Sequence, residues 1–209
     1  MKNIVPFEKF PDKYENWFKE NKYAYKSELL AIKKVLPKDK ESIEIGVGSA
    51  RFASPLGIRI GIDPSVKMLK IAQKRDILVI NAVAEKLPFR SHSFNISLMI
   101  TTICFLENIK SALIEIFRIL KPGSSIIIGF IDKESIMGKL YQERKNKSVF
   151  YKIAKFYSVK EILSHLKKSG FSFFECFQTI FSQLGKIRNF EPSKSGYGKG
   201  SFVVIKAIK

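Results

Sequence analysis

The chain is expected to fold as an α/β protein with a doubly wound, mostly parallel sheet, and three features of its sequence lead there. Short β-branched apolar runs recur between amphipathic helical stretches: Ser42 to Ile45, Ile58 to Ile62, Ile77 to Ile80, Phe94 to Ile100 and Ser125 to Ile131. The first run passes straight into Gly46-Val47-Gly48, two glycines that let the backbone turn sharply at a strand end and let a ligand approach closely. The second run closes on an acid, Asp63, about 20 residues past that turn. Strand and helix alternating in this way build a sheet with helices on both faces.

The elements follow in order. Phe10, Tyr14, Trp17 and Phe18 fall at helical spacing, and Leu29, Leu30, Ile32, Val35 and Leu36 form a second helical run ending before Pro37. Two short helices therefore precede the first strand. After the glycine turn a short helix is expected to open at Ala50-Arg51-Phe52 and stop at Gly57. Asp63 then stands where it can accept hydrogen bonds from ribose hydroxyls, so a ribose-bearing ligand is expected. Pro64 suits the first turn of the next helix, with Met68, Leu69, Ile71 and Ala72 inward. Ser91-His92-Ser93 is a polar turn, which puts His92 at the unproductive end of the fourth strand. The productive end is Thr101-Thr102-Ile103-Cys104. Asn108 can cap a helix with Ala112, Leu113, Ile116, Phe117 and Leu120 inward, and Pro122-Gly123 turns the chain into the fifth strand.

From Asp132 to Tyr157 the rhythm lapses into a basic, aromatic segment with Met137, Tyr141, Phe150, Tyr151 and Phe156. Ser158-Val159-Lys160-Glu161 is a capping box opening a helix that Gly170 stops. Phe171 to Phe181 and Ser201 to Ile208 read as two last strands, joined by the polar link Gly185 to Gly200.

Composition narrows the function. At 209 residues, 45% hydrophobic and 27% charged, the chain suits one globular domain, and no apolar run approaches the roughly 18 residues that span a bilayer. No membrane role is expected, and with no apolar signal block near residue 1 the expected location is the cytoplasm. Cys104 and Cys176 are expected as buried free thiols, and with only His92 and His165 besides, no metal site is expected. The net charge of +18 invites a nucleic-acid partner, but residues 41–132 carry only +3 of it, residues 1–40 +4 and residues 133–209 +11. Most of that excess is scattered lysine, which suits a solvated surface.

Glu44-Ile45-Gly46-Val47-Gly48-Ser49-Ala50, then Gly61-Ile62-Asp63-Pro64-Ser65 with Met68, then Ala84-Glu85-Lys86-Leu87-Pro88-Phe89, then Arg118 to Gly123, stand in the order and spacing of a known family's motifs. Over about 40–131 the chain resembles the class I S-adenosylmethionine-dependent methyltransferases, within them the small bacterial and archaeal branch labelled methyltransferase type 11. The resemblance implies a Rossmann-like sheet of about seven strands, five parallel plus a C-terminal antiparallel pair, with N-terminal helices. It implies S-adenosyl-L-methionine as cofactor, with Glu44, Gly46, Gly48, Ser49, Asp63, Pro64, Met68, Ala84, Glu85 and Thr101 at its site and the aromatics Tyr14 and Trp17 covering it. One methyltransferase domain over 1–209 is expected: a helical cover 1–38, a cofactor core 40–131, an acceptor-site segment 132–157, and the final helix and strands 158–209. Two departures stand out. Val83 occupies the position where the family places a polar residue for the adenine amine, and Ala50 occupies the third glycine's place, where helical dihedrals would tolerate it.

Methyl transfer from a sulfonium needs positioning in a dry chamber rather than a nucleophilic triad. If the acceptor must lose a proton, Glu107, Tyr141, Tyr151 and His165 are candidate bases. A small-molecule acceptor is expected, acidic or phosphorylated if it uses Lys139, Arg144, Lys145 and Lys147. An RNA methyltransferase is the second reading, but Ile100-Thr101-Thr102-Ile103-Cys104 carries neither the Asn/Asp-Pro-Pro-aromatic nor the Pro-Cys element of base-modifying enzymes. A nicotinamide oxidoreductase would bring a third glycine where Arg51 stands, and a non-catalytic cofactor-binding protein is the fourth reading.

Overall fold

A computed structural model describes residues 2–37 and 41–209. The expected boundary between helical cover and core, at residues 38–40, lies outside the described residues. Three helices come first: α1 (Val5–Lys9), α2 (Pro11–Glu20) and α3 (Lys22–Val35). They are followed by β1 (Ser42–Ile45), α4 (Ala53–Leu56), β2 (Ile60–Asp63), α5 (Val66–Gln73), β3 (Leu78–Asn81) and β4 (Phe94–Ile100). Then come α6 (Ile109–Ile119), β5 (Leu120–Ile131), α7 (Ile136–Glu143), α8 (Val159–Lys168), β6 (Ser172–Thr179), β7 (Lys194–Ser195) and β8 (Phe202–Ile208).

The strands form one sheet in the order β3-β2-β1-β4-β5-β8-β6-β7. The first five are mutually parallel, and β8, β6 and β7 add on antiparallel. This is the expected doubly wound, Rossmann-like architecture. The chain order reverses between β1 and β4, so the carboxyl ends of those strands open a crevice there.

Side chains alternate across the pleat, so each central strand feeds two cores. Met99, Ile128 and Val203 face α6 and α8, whereas Leu98, Ile127 and Val204 face α3, α4 and α5. Helix caps fix where elements begin. Ser65 accepts from the Met68 amide, Asn108 from Ser111, and Ser158 with Glu161 completes the capping box opening α8.

Four local features differ from the sequence reading, the first being that three α-helices rather than two precede β1. The strand expected from Ser125 starts at Leu120, because Lys121 to Gly123 bulge out of the ladder while pairing jumps from Phe94–Leu120 to Ile96–Ser125. A two-residue strand, β7, lies within the expected polar link and pairs Lys194 with Gln178. The helix after the glycine turn opens at Ala53, three residues late, and Ala50 is left-handed at φ +63° rather than helical. Its methyl is fully buried beside Phe52 and Ala53, and that packing offsets a backbone cost of about 1–2 kcal/mol.

Candidate functional site

The glycine turn is pinned from below. The amides of Gly46 and Val47 both donate to the Ile62 carbonyl at 2.8 Å, joining the ends of β1 and β2. Gly46 has φ +74°, and a Cβ there would lie 2.3 Å from Thr102 Cγ2, so neither conformation nor space admits a side chain. Thr102 Oγ1 in turn donates to the Gly46 carbonyl at 3.1 Å, tying β4's end to the turn.

Asp63 bridges this turn to the next helix. Its Oδ2 accepts the Gly48 amide at 2.9 Å and its Oδ1 the Ser65 amide at 2.8 Å. Burial pushes the carboxyl up to about 6, against the opposing pull of those two amides. The carboxylate is held in one orientation with acceptor capacity left on both oxygens.

Above the sheet edge lies a cavity of about 550 Å³. Nine of the residues expected at the site line it: Tyr14, Gly46, Gly48, Asp63, Pro64, Met68, Ala84, Glu85 and Thr101. Three do not. Glu44 sits beneath the turn in β1, 1% exposed, its Oε2 unpaired; burial first, then the charge of Asp63, raises its carboxyl well above the usual range. Ser49 is fully buried, its carbonyl accepting from Arg75. Trp17 lies on a second cavity instead, because one further turn of α2 carries it past Tyr14 and away from the glycines.

That second cavity, about 480 Å³, lies among α2, α3 and the 137–157 segment. Trp17, Met137, Tyr141, Phe150, Tyr151 and Phe156 contribute to its wall, with the Tyr141 and Tyr151 rings stacked at 4.7 Å. The two cavities share Phe7, Tyr14, Thr101 and Phe105. Phe7 packs 5.1 Å from Phe105 and 5.9 Å from Tyr14, so three of the shared residues make an aromatic partition. Thr101 completes it with φ +51°, a left-handed conformation costly for a β-branched residue, anchored by its amide to the Gly129 carbonyl at 2.7 Å.

The candidate bases separate. Glu107 lines the first cavity; Tyr141 and Tyr151 line the second, where burial pushes both phenols upward. His165 lines neither, because α8 packs beside α6 on the other face of the sheet, where His165 stands edge-on to Tyr157 at 6.0 Å. Cys104 lines the second cavity, but burial pushes its thiol up to about 12, which leaves it un-ionised near neutrality. None of Lys139, Arg144, Lys145 and Lys147 reaches that wall, and all but Lys145 are exposed. The four cations that suggested an acidic or phosphorylated acceptor thus lie off the wall, which among the described lysines and arginines Lys13 alone reaches.

Sequence reasoning also missed several residues. Glu28 lines the second cavity, 4% exposed. Its spacing to Ala31, Ile32 and Val35, three, four and seven residues on, already placed an acid on the apolar stripe of α3. Glu15 pairs with both Arg51 and Arg75; burial acts to raise its carboxyl, but the two guanidiniums bring it down to about 2. Arg51, where a nicotinamide-binding turn would carry its last glycine, thus anchors α2 over the turn. Glu8 adds a second tie, accepting from Ser65 Oγ at 2.7 Å.

Residues 43–128 match the methyltransferase domain family. A Thermotoga maritima structure described as a SAM-dependent methyltransferase, possible histamine N-methyltransferase, is 46% identical, covers 98% of each chain and superimposes with a TM-score of 0.96. The chain belongs to the S-adenosylmethionine-dependent methyltransferase family. An uncharacterized protein of Methanocaldococcus jannaschii is 48% identical over 97% of this chain and 98% of its own length. The demethylmenaquinone methyltransferase of Chlorobaculum tepidum is 30% identical over 50% of this chain and 47% of its own length. Membership implies use of S-adenosylmethionine.

Proposed function

We propose that the protein binds S-adenosylmethionine in the larger cavity and transfers its methyl group to a small-molecule acceptor held in the second. The single observation that carries this is the pair of adjoining cavities, about 550 and 480 Å³, sharing Thr101 and an aromatic partition at the carboxyl edge of the sheet. Both volumes fall in the roughly 300–1,000 Å³ range of small-molecule sites.

The donor set of the first cavity suits the cofactor. Asp63 offers an oriented carboxylate to a ribose diol, and Met68, Val83, Ala84 and Leu106 offer apolar walls to an adenine ring. The side chain of Val83 cannot accept from the adenine amine. Glu85 gives Oε1 to the Glu107 and Asn108 amides at 3.0 and 3.2 Å, leaving Oε2 or a nearby backbone carbonyl for that contact. The bound cofactor supplies an electrophilic methyl on a sulfonium and leaves as a thioether. What this chain contributes is placement and exclusion of water: Tyr14 packs over Gly48, its hydroxyl 3.6 Å from where a Cβ would stand, and residues 132–157 close the acceptor side.

Asp63→Ala is expected to weaken binding of S-adenosylmethionine and S-adenosylhomocysteine by roughly 10- to 100-fold, about 1.4–2.8 kcal/mol. Calorimetric titration of a folded variant decides it, and unchanged affinity removes Asp63 from the ribose contact. Tyr141→Ala and Tyr151→Ala are expected to lower turnover while cofactor affinity stays within about twofold. Incubation with methyl-labelled cofactor and a cell metabolite extract supplies the acceptor for that measurement. Normal turnover by both variants would move the acceptor out of the second cavity.

A further inference from the structure

Building on the methyl-transfer reading, we propose that the acceptor is a small amine, and that the Glu28 carboxyl on the wall of the second cavity holds its ammonium and takes the proton that must leave before nitrogen can react. Glu28 is a buried acid in a chamber walled mostly by rings and aliphatic side chains. It shares the wall of that chamber with Tyr14, Tyr141 and Tyr151. Tyr14 lines the cofactor cavity as well, so the chamber that Glu28 walls adjoins the methyl donor's site.

A lone buried carboxyl is costly unless something satisfies it, and here burial raises it to about 8, with no donor or cation among the described residues acting against that. The other charged residues at this cavity, Lys13 and Glu20, are exposed and opposite in sign. A cation with an apolar body meets both halves of the chamber: the carboxylate pairs with its charge, and ring faces attract it further. An anionic acceptor meets neither.

The proton accounting closes. Entry of an ammonium ionises Glu28 and releases one proton to solvent. The ammonium proton then passes to a Glu28 oxygen; the freed nitrogen lone pair forms the new N–C bond as the C–S pair stays on sulfur. Glu28 ends protonated, its resting form, and the product leaves as a methylammonium. An acid near 8 is suited to both steps at neutral pH.

The test is calorimetry on the full chain at pH 7, with tyramine and cyclohexylamine as probes against tyrosol, cyclohexanol and cyclohexanecarboxylate, each with and without S-adenosylhomocysteine. At least one amine is expected to bind about tenfold or more tighter than its alcohol, and the carboxylate most weakly. Repeating the titration in phosphate and Tris buffers should show close to one proton released on amine binding and none on alcohol binding. Glu28→Gln should lose the amine preference and the proton release while keeping affinity for S-adenosylhomocysteine within about twofold. Amines that bind no better than alcohols, no proton release, or an unchanged preference in Glu28→Gln would each overturn the proposal. The proton count reads the native protein, so it stands even if the variant folds poorly. Loss of S-adenosylhomocysteine binding with the amine results intact would instead count against the cofactor reading alone.

Discussion

Gly138→Ala is expected to destabilise the protein by roughly 2–4 kcal/mol and to reduce acceptor turnover far more than cofactor binding. A Cβ at Gly138 would lie 2.1 Å from the Asp132 carbonyl oxygen, 2.7 Å from Lys133 Cα and 2.9 Å from the Asp132 carbonyl carbon. These are backbone atoms that no rotamer change can move aside. They belong to a tight turn in which the Ser135 amide donates to the Asp132 carbonyl at 3.0 Å and Ser135 Oγ accepts the Gly138 amide at 3.0 Å. Alanine's better helix propensity returns only about 1 kcal/mol, so the clash wins. The turn must open, and α7 then withdraws Met137 and Tyr141 from the acceptor cavity while Asp63 and the glycine turn stay in place. Urea unfolding should show a lower midpoint, and titration with S-adenosylhomocysteine a nearly unchanged affinity. A variant with wild-type midpoint and turnover would mean that α7 seats in some other way.

The contrast between the two cavities explains what could be read from the sequence. The cofactor side is built from short-range signals: a strand, two glycines, an acid at the next strand's end and a capped helix. Each constrains its neighbour through backbone geometry, so Gly46, Gly48, Asp63 and Met68 were legible as a group. The second cavity is assembled from residues as far apart as Phe7, Glu28, Thr101 and Tyr151, which only the folded chain brings together. Local pattern reports no such juxtaposition. Two anomalies stood there, a long aromatic stretch after β5, which was read, and an acid on the apolar stripe of α3, which was not. Where reading failed outright, packing had overridden propensity. Ala50 adopts a left-handed conformation because its methyl is buried, and Pro122-Gly123, which reads as a turn, bulges from a strand whose other residues are held in the ladder between β4 and β8. Trp17 shares its helical face with Tyr14, but one turn along α2 is enough to change which cavity it meets.

Glu28→Gln is expected to be more stable than the natural protein at alkaline pH and to lose that advantage as the pH falls. Burial raises the Glu28 carboxyl from 4.5 to about 8 in the folded chain, so between those values the folded protein keeps a proton that the unfolded chain has released. Stability therefore declines as pH rises through that window. The penalty is absent below about 4.5, grows with each unit at up to about 1.4 kcal/mol, and is complete above about 8. Water entering the cavity reduces the total, and a difference on the order of 3 kcal/mol between variant and natural protein at pH 8.5 is expected, shrinking toward zero near pH 5. Other raised carboxyls, among them Glu44, Asp63 and Asp132, are common to both proteins and cancel in the comparison. Denaturant midpoints across that range supply the measurement, and a constant offset at every pH would show that Glu28 does not titrate in the window. The same experiment with saturating amine extends the argument. An ammonium paired with the Glu28 carboxylate stabilises the folded state by mass action, most strongly where the unpaired charge costs most. Tyramine or cyclohexylamine, whichever the chamber binds, should therefore flatten the pH dependence of the natural protein and leave that of Glu28→Gln unchanged.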